Sequence, residues 1–258
     1  MMKENFPLKS DSFQLLNNYY DLLYHEKDYE AETEYASDIL RSYNSSSRHL
    51  LELGFGTGNY SKHLSARGYK ITGIEKSEHM VTLAKAKAIP HFLPIVDDIT
   101  TFTLNKKFDA AISLFHVMSY LTKNTKVISC LKQVCRHLKR KGIFIFDVWY
   151  TPAVYSQQPA SKVKHVNTDT YEITRIAEPQ VNYEENIVEV NYLLIIKNKI
   201  SCHHEVLKET HYLRHFSTPE IKLLANLSGF DLVRSEEFLT AKQPCNDTWG
   251  VCYILQKK

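Results

Sequence analysis

Three of the eight glycines in this 258-residue chain fall within five residues of one another. Gly54, Gly56 and Gly58 stand in the segment LELGFGTGNYS, directly after an apolar run that predicts a strand and before a predicted helix. Glycines at such a junction let the backbone turn sharply and approach a bound ligand closely. The GxGxG spacing lacks the later glycine of many dinucleotide sites, and no GKS or GKT follows to hold a triphosphate, so nicotinamide dinucleotides and ATP are disfavoured.

Carboxylates recur at the ends of the predicted strands. Glu52 stands at the end of the first strand, Glu75 ends the second, and Asp98 with Ile99 follows the third. An acid at the end of the second strand can accept hydrogen bonds from two ribose hydroxyls. A carboxylate beside an apolar side chain can contact the edge of an adenine. The glycines and acids together therefore predict a site for a nucleoside-containing cofactor.

Short apolar runs that alternate with helical patterns must position these residues. After a predicted helix at 12–43, the runs are 49–53, 70–74, 91–96, 110–115 and 143–148, and the predicted helices between them are 59–66, 77–86 and 124–138. Continuous apolar runs separated by helices are typical of parallel strands covered on both faces. The pattern predicts an α/β fold built on a mostly parallel sheet.

The spacing of the apolar residues changes after Trp149, because no helical periodicity returns before Ser217. Three segments, 171–177, 187–197 and 205–216, alternate apolar and polar residues as antiparallel strands with one covered face do. A helix with a capping box at its start and two last strands, 231–238 and 249–255, follow them.

Charge and composition exclude several classes of function. Lys and Arg number 32 and Asp and Glu 29, so the formal charge of +3 gives no strong nucleic-acid signal. No apolar run approaches the ~20 residues of a membrane span, and the charged N-terminal segment lacks the apolar centre of a secretory signal, so we expect a cytoplasmic protein. Five cysteines without a CxxC pair predict reduced thiols. The absence of HExxH or a matched Cys/His set predicts no metal site.

The acid followed by GxGxG, with a second strand that ends in an acid, resembles the class I S-adenosylmethionine-dependent methyltransferases. The resemblance covers about residues 48–150 and implies a Rossmann-like fold with a seven-stranded, mostly parallel sheet. It implies S-adenosylmethionine as the cofactor, with its methionine part beside the glycines, its amino group held with the help of Glu52, its ribose on Glu75 and its adenine framed by Asp98 and Ile99. The residues implied to hold it are Tyr20, Glu52, Gly54, Gly56, Gly58, Glu75, Met80, Asp98, Ile99 and Leu114.

Four further segments resemble the bacterial nucleotide-linked amino-sugar N-methyltransferases. They are YDLLYHEKDYEAET at 20–33, FDAAISLFHVMSYL at 108–121, FDVWY at 146–150 and HYLRHFSTPEI at 211–221. This resemblance spans almost the whole chain. It implies an N-terminal helical lid at 1–47, a cofactor-binding core at 48–150, an antiparallel β insert over the acceptor at 151–216, and completion of the core sheet by 217–258.

The resemblance implies that the methyl acceptor is the amino group of a nucleotide-linked amino sugar. O-methylation of a sugar or another small molecule is the nearest alternative, and a catalytically inactive cofactor-binding module is another. A nucleic-acid methyltransferase is disfavoured, because LFHVMSY follows the fourth strand where enzymes acting on base amines carry an NPPY-like segment. A homodimer is left open.

Methyl transfer from a sulfonium depends mainly on positioning, but an amine must be neutral when it attacks, so one base is expected. His116 and Tyr120, after the fourth strand, are the candidate bases. The resembling family has a histidine at the position of Tyr120, whereas here the histidine stands four residues earlier, and a structural role for His116 is the alternative. For the acceptor, the candidate binding residues are Trp149, His211 and His215.

Overall fold

Eleven strands in two sheets form the β-structure of residues 16–258, the part of the chain that a computed structural model describes. The strands are β1 His49–Leu53, β2 Lys70–Glu75, β3 Phe92–Val96, β4 Phe108–Ser113, β5 Leu138–Trp149, β6 Lys162–Asn167, β7 Tyr171–Asn182, β8 Ile187–Asn198, β9 His204–Arg214, β10 Phe230–Glu237 and β11 Gly250–Lys257. Seven form one sheet in the order β10-β11-β5-β4-β1-β2-β3, and four form a second sheet in the order β6-β7-β8-β9.

The larger sheet is mostly parallel, as the sequence predicts. Strand β1 runs parallel to both β2 and β4, and only β11 runs antiparallel to its neighbours, β5 and β10. The order of the strands reverses at β1, with β2 and β3 on one side and β4 and β5 on the other. In open parallel sheets, ligands bind at the carboxyl ends of the strands at such a reversal.

Helices cover both faces of this sheet. The α-helices of the described residues are α1 Tyr20–Leu23, α2 Tyr29–Tyr43, α3 Asn59–Ala66, α4 Glu78–Ala86, α5 Asn124–His137, α6 Thr151–Gln157 and α7 Thr218–Leu227, of which α1 and α6 pack with the smaller sheet. Phe144 and Phe146 of β5 belong to the apolar cluster of α5 and α7, whereas Ile143 and Ile145 belong to that of α2 and α3. Burial on both faces explains why residues 143–146 of β5 form a continuous apolar run, whereas residues 139–141 near the start of the strand are exposed.

The smaller sheet is antiparallel throughout and has one covered face. Val188, Val190, Leu194 and Ile196 of β8 are all buried on that face, as their alternation predicts. The covered face packs against the N-terminal segment through Leu23.

Two sequence predictions differ from the structure. Part of the helix predicted at 12–43 lies outside the described residues, and the rest is not continuous, since α1 ends at Leu23 and α2 begins at Tyr29. The side chain of Asp28 accepts a 2.8 Å hydrogen bond from the Ala31 N–H and so starts a new helix. The prediction that no helix lies between Trp149 and Ser217 was wrong, because α6 occupies 151–157. Its one signal is a proline in the first turn.

Candidate active site

A cavity of about 1500 Å³ lies where the carboxyl ends of β1, β2 and β4 meet. Residues of the N-terminal segment and of β7, β8 and β9 complete its wall. A single small ligand usually occupies about 300 to 1000 Å³. The cavity is therefore large enough for a nucleoside-containing cofactor and a second molecule beside it.

The cavity collects most of the residues predicted for the site. Its lining includes Tyr20, Gly54, Gly56, Glu75, Met80, Asp98, Ile99, Leu114, His116, Tyr120, Trp149 and His211. Glu52, Gly58 and His215 are not part of the lining. Most of the predicted set is thus brought together at one edge of the sheet.

The glycine loop leaves room for a ligand in contact with its backbone. Gly54 and Gly56 have φ values of +67° and +58°, which side chains rarely adopt. A Cβ on Gly54 would lie 2.4 Å from Cγ1 of Val117, whereas a Cβ on Gly56 would meet no atom within 4 Å and would stand in open space. The loop fits a cofactor such as S-adenosylmethionine, because the space that a side chain would take at Gly56 remains available. Gly58 instead stands at the N-cap of α3.

Glu75 ends β2 and presents a carboxylate to the cavity. Its Oε2 accepts a 3.1 Å hydrogen bond from the Gly56 N–H, and its Oε1 accepts a 3.0 Å bond from the Ser77 N–H. Burial raises the pKa of Glu75, although these backbone hydrogen bonds oppose the rise. A carboxylate has about four lone-pair sites. Two are occupied by these backbone donors, so the others could accept the hydroxyls of a ribose.

Asp98, Ile99 and Met80 form the part of the wall beyond Glu75. Asp98 Oδ1 accepts hydrogen bonds from the backbone N–H of Thr100 at 2.7 Å and from its hydroxyl at 2.6 Å. Burial alone would raise the pKa of Asp98, but the bonds from Thr100 together with the charges of Lys126 and Lys76 leave that pKa below its ordinary value. A charged carboxylate between two apolar side chains could hold the amino edge and the faces of an adenine.

Glu52 lies beneath the glycine loop and does not reach the cavity. It is 2% exposed, and its carboxyl group accepts a hydrogen bond from the Ser61 hydroxyl. Burial raises the pKa of Glu52 to about 8, and the nearby Glu75 adds to the rise. The predicted direct contact with the cofactor's amino group is therefore not provided by this arrangement. Glu52 instead supports the loop from below.

His116 is held against the cavity by Asp147. Phe115 and His116 have φ values of +68° and +61°, a conformation that costs about 1 to 3 kcal/mol for a non-glycine residue. His116 Nδ1 lies 2.8 Å from Oδ2 of Asp147, and the His116 backbone N–H donates to both carboxylate oxygens at 3.3 Å. Asp147 is 1% exposed. These contacts direct Nδ1 to the carboxylate and leave Nε2 available for a proton.

Asp147 stands near the carboxyl end of β5, and the sequence did not indicate which residue would be its partner. Its signal was an acid inside the apolar run FDVW, where a charge must find a partner. The strand order supplies that partner, since β4 and β5 are adjacent and the loop after β4 carries His116.

Tyr120 and His211 meet on the side of the cavity that the antiparallel sheet covers. Tyr120 Oη lies 2.9 Å from His211 Nδ1, and both residues line the wall. Trp149 also lines it, with its ring centroid 6.1 Å from that of His116. His215 lies elsewhere, with Nδ1 2.9 Å from the Thr151 hydroxyl. Burial and the charge of Arg214 lower the pKa of His215 to about 4.

Arg175 of β7 brings a positive charge into the same part of the cavity. It lies on the covered face with Ile173 and Ala177, and its Nη1 donates a 3.1 Å hydrogen bond to the Tyr24 hydroxyl. Its guanidinium lies 5.6 Å from the ring centroids of both Tyr24 and Tyr192. Sequence reasoning missed Arg175, although a charged residue on the covered face of an alternating strand was the signal.

The N-terminal segment is fastened to the glycine loop by one carboxylate. Asp21 of α1 accepts hydrogen bonds from the Thr57 hydroxyl at 2.6 Å and the Asn59 amide at 3.0 Å, and it lies 2.8 Å from Lys87 Nζ. These contacts hold the neighbouring Tyr20 over the cavity.

Neither a metal cluster nor a membrane span is found in the described part of the chain. Between residues 16 and 258, no group of three or more His, Cys, Asp or Glu is arranged to hold a metal ion. No helix in the same range is long and apolar enough to cross a membrane.

The known proteins to which this chain is similar in sequence and structure are methyltransferases. Residues 50–142 match the family described as a methyltransferase domain. A dTDP-3-amino-3,4,6-trideoxy-alpha-D-glucopyranose N,N-dimethyltransferase from Streptomyces venezuelae is 30% identical over 139 residues, which are 53% of this chain and 58% of that protein. This chain thus spans less than two thirds of that relative.

Two further proteins match over longer stretches. A dTDP-3-amino-3,6-dideoxy-alpha-D-glucopyranose N,N-dimethyltransferase from Streptomyces fradiae is 23% identical over 83% of this chain and 82% of its own length. The structure of the sugar N-methyltransferase KedS8 from Streptoalloteichus sp ATCC 53650 superposes with a TM-score of 0.81 at 18% identity and covers 98% of each chain. The likeness to KedS8 shows that the fold is shared.

Replacing Glu75 by Ala is expected to weaken binding of S-adenosylhomocysteine by about 1 to 3 kcal/mol, because charge-assisted hydrogen bonds to the ribose are lost. Isothermal titration calorimetry measures the change. Glu184→Ala, an exposed carboxylate in the turn between β7 and β8 that does not line the cavity, is the control, and its dissociation constant should stay close to that of the wild type. An unchanged dissociation constant for Glu75→Ala would refute the ribose role.

Glu52 also predicts a pH dependence of stability. Its pKa is about 8 in the folded protein and about 4.3 in an unfolded chain. Because the folded pKa is the higher one, the stability contribution is present below the unfolded pKa and is lost as the pH rises towards 8. The Tm of Glu52→Gln minus the Tm of the wild type should therefore rise between about pH 4.5 and pH 8 and stay constant above that pH. Thermal melts in matched buffers test this, and a constant difference over that range would contradict it.

Proposed function

We propose that this chain transfers methyl groups to the amino group of a nucleotide-linked amino sugar. It is a class I S-adenosylmethionine-dependent methyltransferase related to the amino-sugar methyltransferases. The names of both Streptomyces relatives support the proposal, since each describes an enzyme that acts on a dTDP-linked amino sugar. The observation that carries the proposal is the second half of the cavity, where Arg175 stands among tyrosines beyond the cofactor residues.

The shape and charge of that half suit a sugar nucleotide. Aromatic walls from Tyr24, Tyr192 and Trp149 offer flat apolar surfaces to a sugar or a base. The guanidinium of Arg175 is a fixed fork of donors that matches phosphate oxygens, and its Nε is buried without a hydrogen-bond partner within the described residues. An anionic ligand such as a diphosphate would satisfy that donor. The hydroxyl of a neutral sugar could also accept from it, but the charge-assisted hydrogen bond to a phosphate is the stronger one.

S-adenosylmethionine supplies an electrophilic methyl group when it is bound. Gly54, Gly56 and Glu75 would hold it, with Asp98, Ile99 and Met80 at its adenine end. The chain's own contribution is then to hold the acceptor in line and to keep water out, which can supply much of the rate enhancement. Tyr20 from the N-terminal segment and the covered face of the antiparallel sheet close the cavity over the reacting groups.

His116 is the residue that we propose takes the acceptor's proton. An ammonium has no lone pair for attack, so the amine must lose a proton before or during the transfer. The proton passes from the amine nitrogen to Nε2 of His116, and the carboxylate of Asp147 at Nδ1 stabilises the imidazolium that forms. The strained backbone at His116 is consistent with such a role, since strain of this kind clusters at functional sites.

A methyl-transfer screen tests the proposed function directly. Purified protein is incubated with radiolabelled S-adenosylmethionine and a panel of nucleotide-linked amino sugars, their hydroxy analogues and unmodified transfer RNA. Incorporation into an amino sugar alone is the expected result. Incorporation into the hydroxy analogues would favour O-methylation, and incorporation only into RNA would overturn the proposal.

Replacing His116 by Ala is expected to lower kcat for the amino-sugar acceptor by about 100-fold or more, because general base catalysis typically contributes that much. The dissociation constant for S-adenosylhomocysteine should change little. His165→Ala, on the exposed strand β6, is the control for loss of a histidine and should keep wild-type turnover. Wild-type activity in His116→Ala would assign the proton to another group.

Arg175→Gln is expected to raise KM for a nucleotide-linked amino sugar by about 10-fold to 100-fold, since a charged hydrogen bond to phosphate is lost. The same sugar without its nucleotide should show almost no change in KM. Steady-state kinetics with both acceptors measure the difference, and Arg41→Gln, an exposed site on α2, serves as the control. Equal effects on both acceptors would contradict a phosphate contact.

A further inference from the structure

Two polar residues stand on a strand face that should be apolar. In β9, Leu207, Glu209, His211 and Leu213 alternate onto the covered face, and all four are buried. Burying a carboxylate is costly unless donors reach it. Glu209 is 8% exposed and His211 is 3% exposed, so both polar side chains are withdrawn from water.

Glu209, His211 and Tyr120 form a chain that ends at the cavity. The His211 Nε2 atom lies 3.3 Å from Oε1 of Glu209, and its Nδ1 atom lies 2.9 Å from Oη of Tyr120. Tyr120 and His211 both line the cavity, whereas Glu209 stands behind them. The His211 ring is further fixed by an edge contact with Tyr192, with centroids 4.9 Å apart.

The chemistry of the three groups sets the direction of the Tyr120–His211 hydrogen bond and the tautomer that the nearby Glu209 carboxylate favours. An ionised carboxylate can only accept, and a neutral imidazole has one donor nitrogen and one acceptor nitrogen. Glu209 therefore favours the tautomer with the proton on Nε2, which makes Nδ1 the acceptor. Burial raises the pKa of Tyr120 well above its ordinary value, so its hydroxyl keeps its proton and donates it to Nδ1.

We propose that Glu209 and His211 are positioning residues that commit the Tyr120 proton to His211, so that the Tyr120 oxygen meets the methyl acceptor only as a hydrogen-bond acceptor. This inference rests on the proposed function, in which an amine is methylated. An amine attacks through its lone pair, and a hydroxyl that donated a hydrogen bond to that lone pair would block it. A Tyr120 oxygen that accepts an amine N–H instead leaves the lone pair free for the methyl carbon.

The role differs from that of His116. His116 takes a proton from the acceptor, whereas Tyr120 keeps its own proton and sets the orientation of the amine. The same polarity selects among acceptors, because it favours a group that can donate, such as an N–H or an O–H, over one that can only accept.

The first test needs no acceptor. The protein is labelled with 15N-histidine and saturated with S-adenosylhomocysteine, and the nitrogen shifts of His211 are read by NMR, with His211→Gln identifying its signals. The expected result is a neutral ring with its proton on Nε2. A proton on Nδ1 would overturn the proposal. In Glu209→Gln, whose amide can donate as well as accept, the Nδ1-protonated form should become populated.

The second test uses variants whose order of activity a structural role would not produce. In His211→Phe the Tyr120 hydroxyl is free to donate to the amine, and kcat is expected to fall about 10-fold, the worth of roughly one hydrogen bond. His211→Gln keeps an oxygen that can accept the Tyr120 proton and should recover most of kcat. The double variant Tyr120→Phe, His211→Phe removes the misdirected hydroxyl, so it should be more active than His211→Phe alone.

A double variant that is less active than His211→Phe would overturn the proposal. Calorimetry with S-adenosylhomocysteine and a thermal melt on each variant show that the site is folded. If the wild type methylates no amine in the acceptor screen, the proposed function fails. The tautomer of His211 still decides whether Tyr120 donates its hydrogen bond to Nδ1 of His211.

Discussion

Carboxylates withdrawn from water at the edge of a sheet are the constraint on which this structure depends. Each buried acid needs donors, and each finds them in a different part of the chain. Glu75 accepts a hydrogen bond from a backbone N–H of the glycine loop. The carboxylates of Asp147 and Glu209 lie beside the imidazole nitrogens of His116 and His211. The positions of the loop, of the candidate base and of the acceptor wall are therefore all fixed by satisfying buried negative charge.

The cofactor half and the acceptor half of the cavity are built in different ways. The cofactor half comes from consecutive strand ends and the loops after them, so its residues lie within a short stretch of chain, from Gly54 to Leu114. The acceptor half joins the loop after β4, the end of β5, the insert strands and the N-terminal segment. Its composition can change without disturbing the parallel sheet, which is consistent with a shared fold at 18% identity to KedS8.

The cofactor half of the cavity was also the half that could be predicted from the sequence. Strand ends, the glycine loop and the acids after β2 and β3 follow from local patterns, and they line one cavity as expected. The pairing of Asp147 with His116, the placement of Arg175 and the chain behind Tyr120 depend on which strands are neighbours. Local patterns carry no such information. His211 and His215 looked equivalent in sequence, but β9 ends at Arg214, so His215 leaves the strand and points to α6.

The Asp21 carboxylate joins two parts of the site that are distant in sequence. With 45% of its side chain accessible, it lies 2.8 Å from Lys87 Nζ, and added salt weakens an attraction between charges this exposed. The hydrogen bond that the Thr57 hydroxyl donates to Asp21 ties α1 to the glycine loop. The segment that covers the cavity is thus held through the same loop that would hold the cofactor, so one side chain links the cover to the cofactor site.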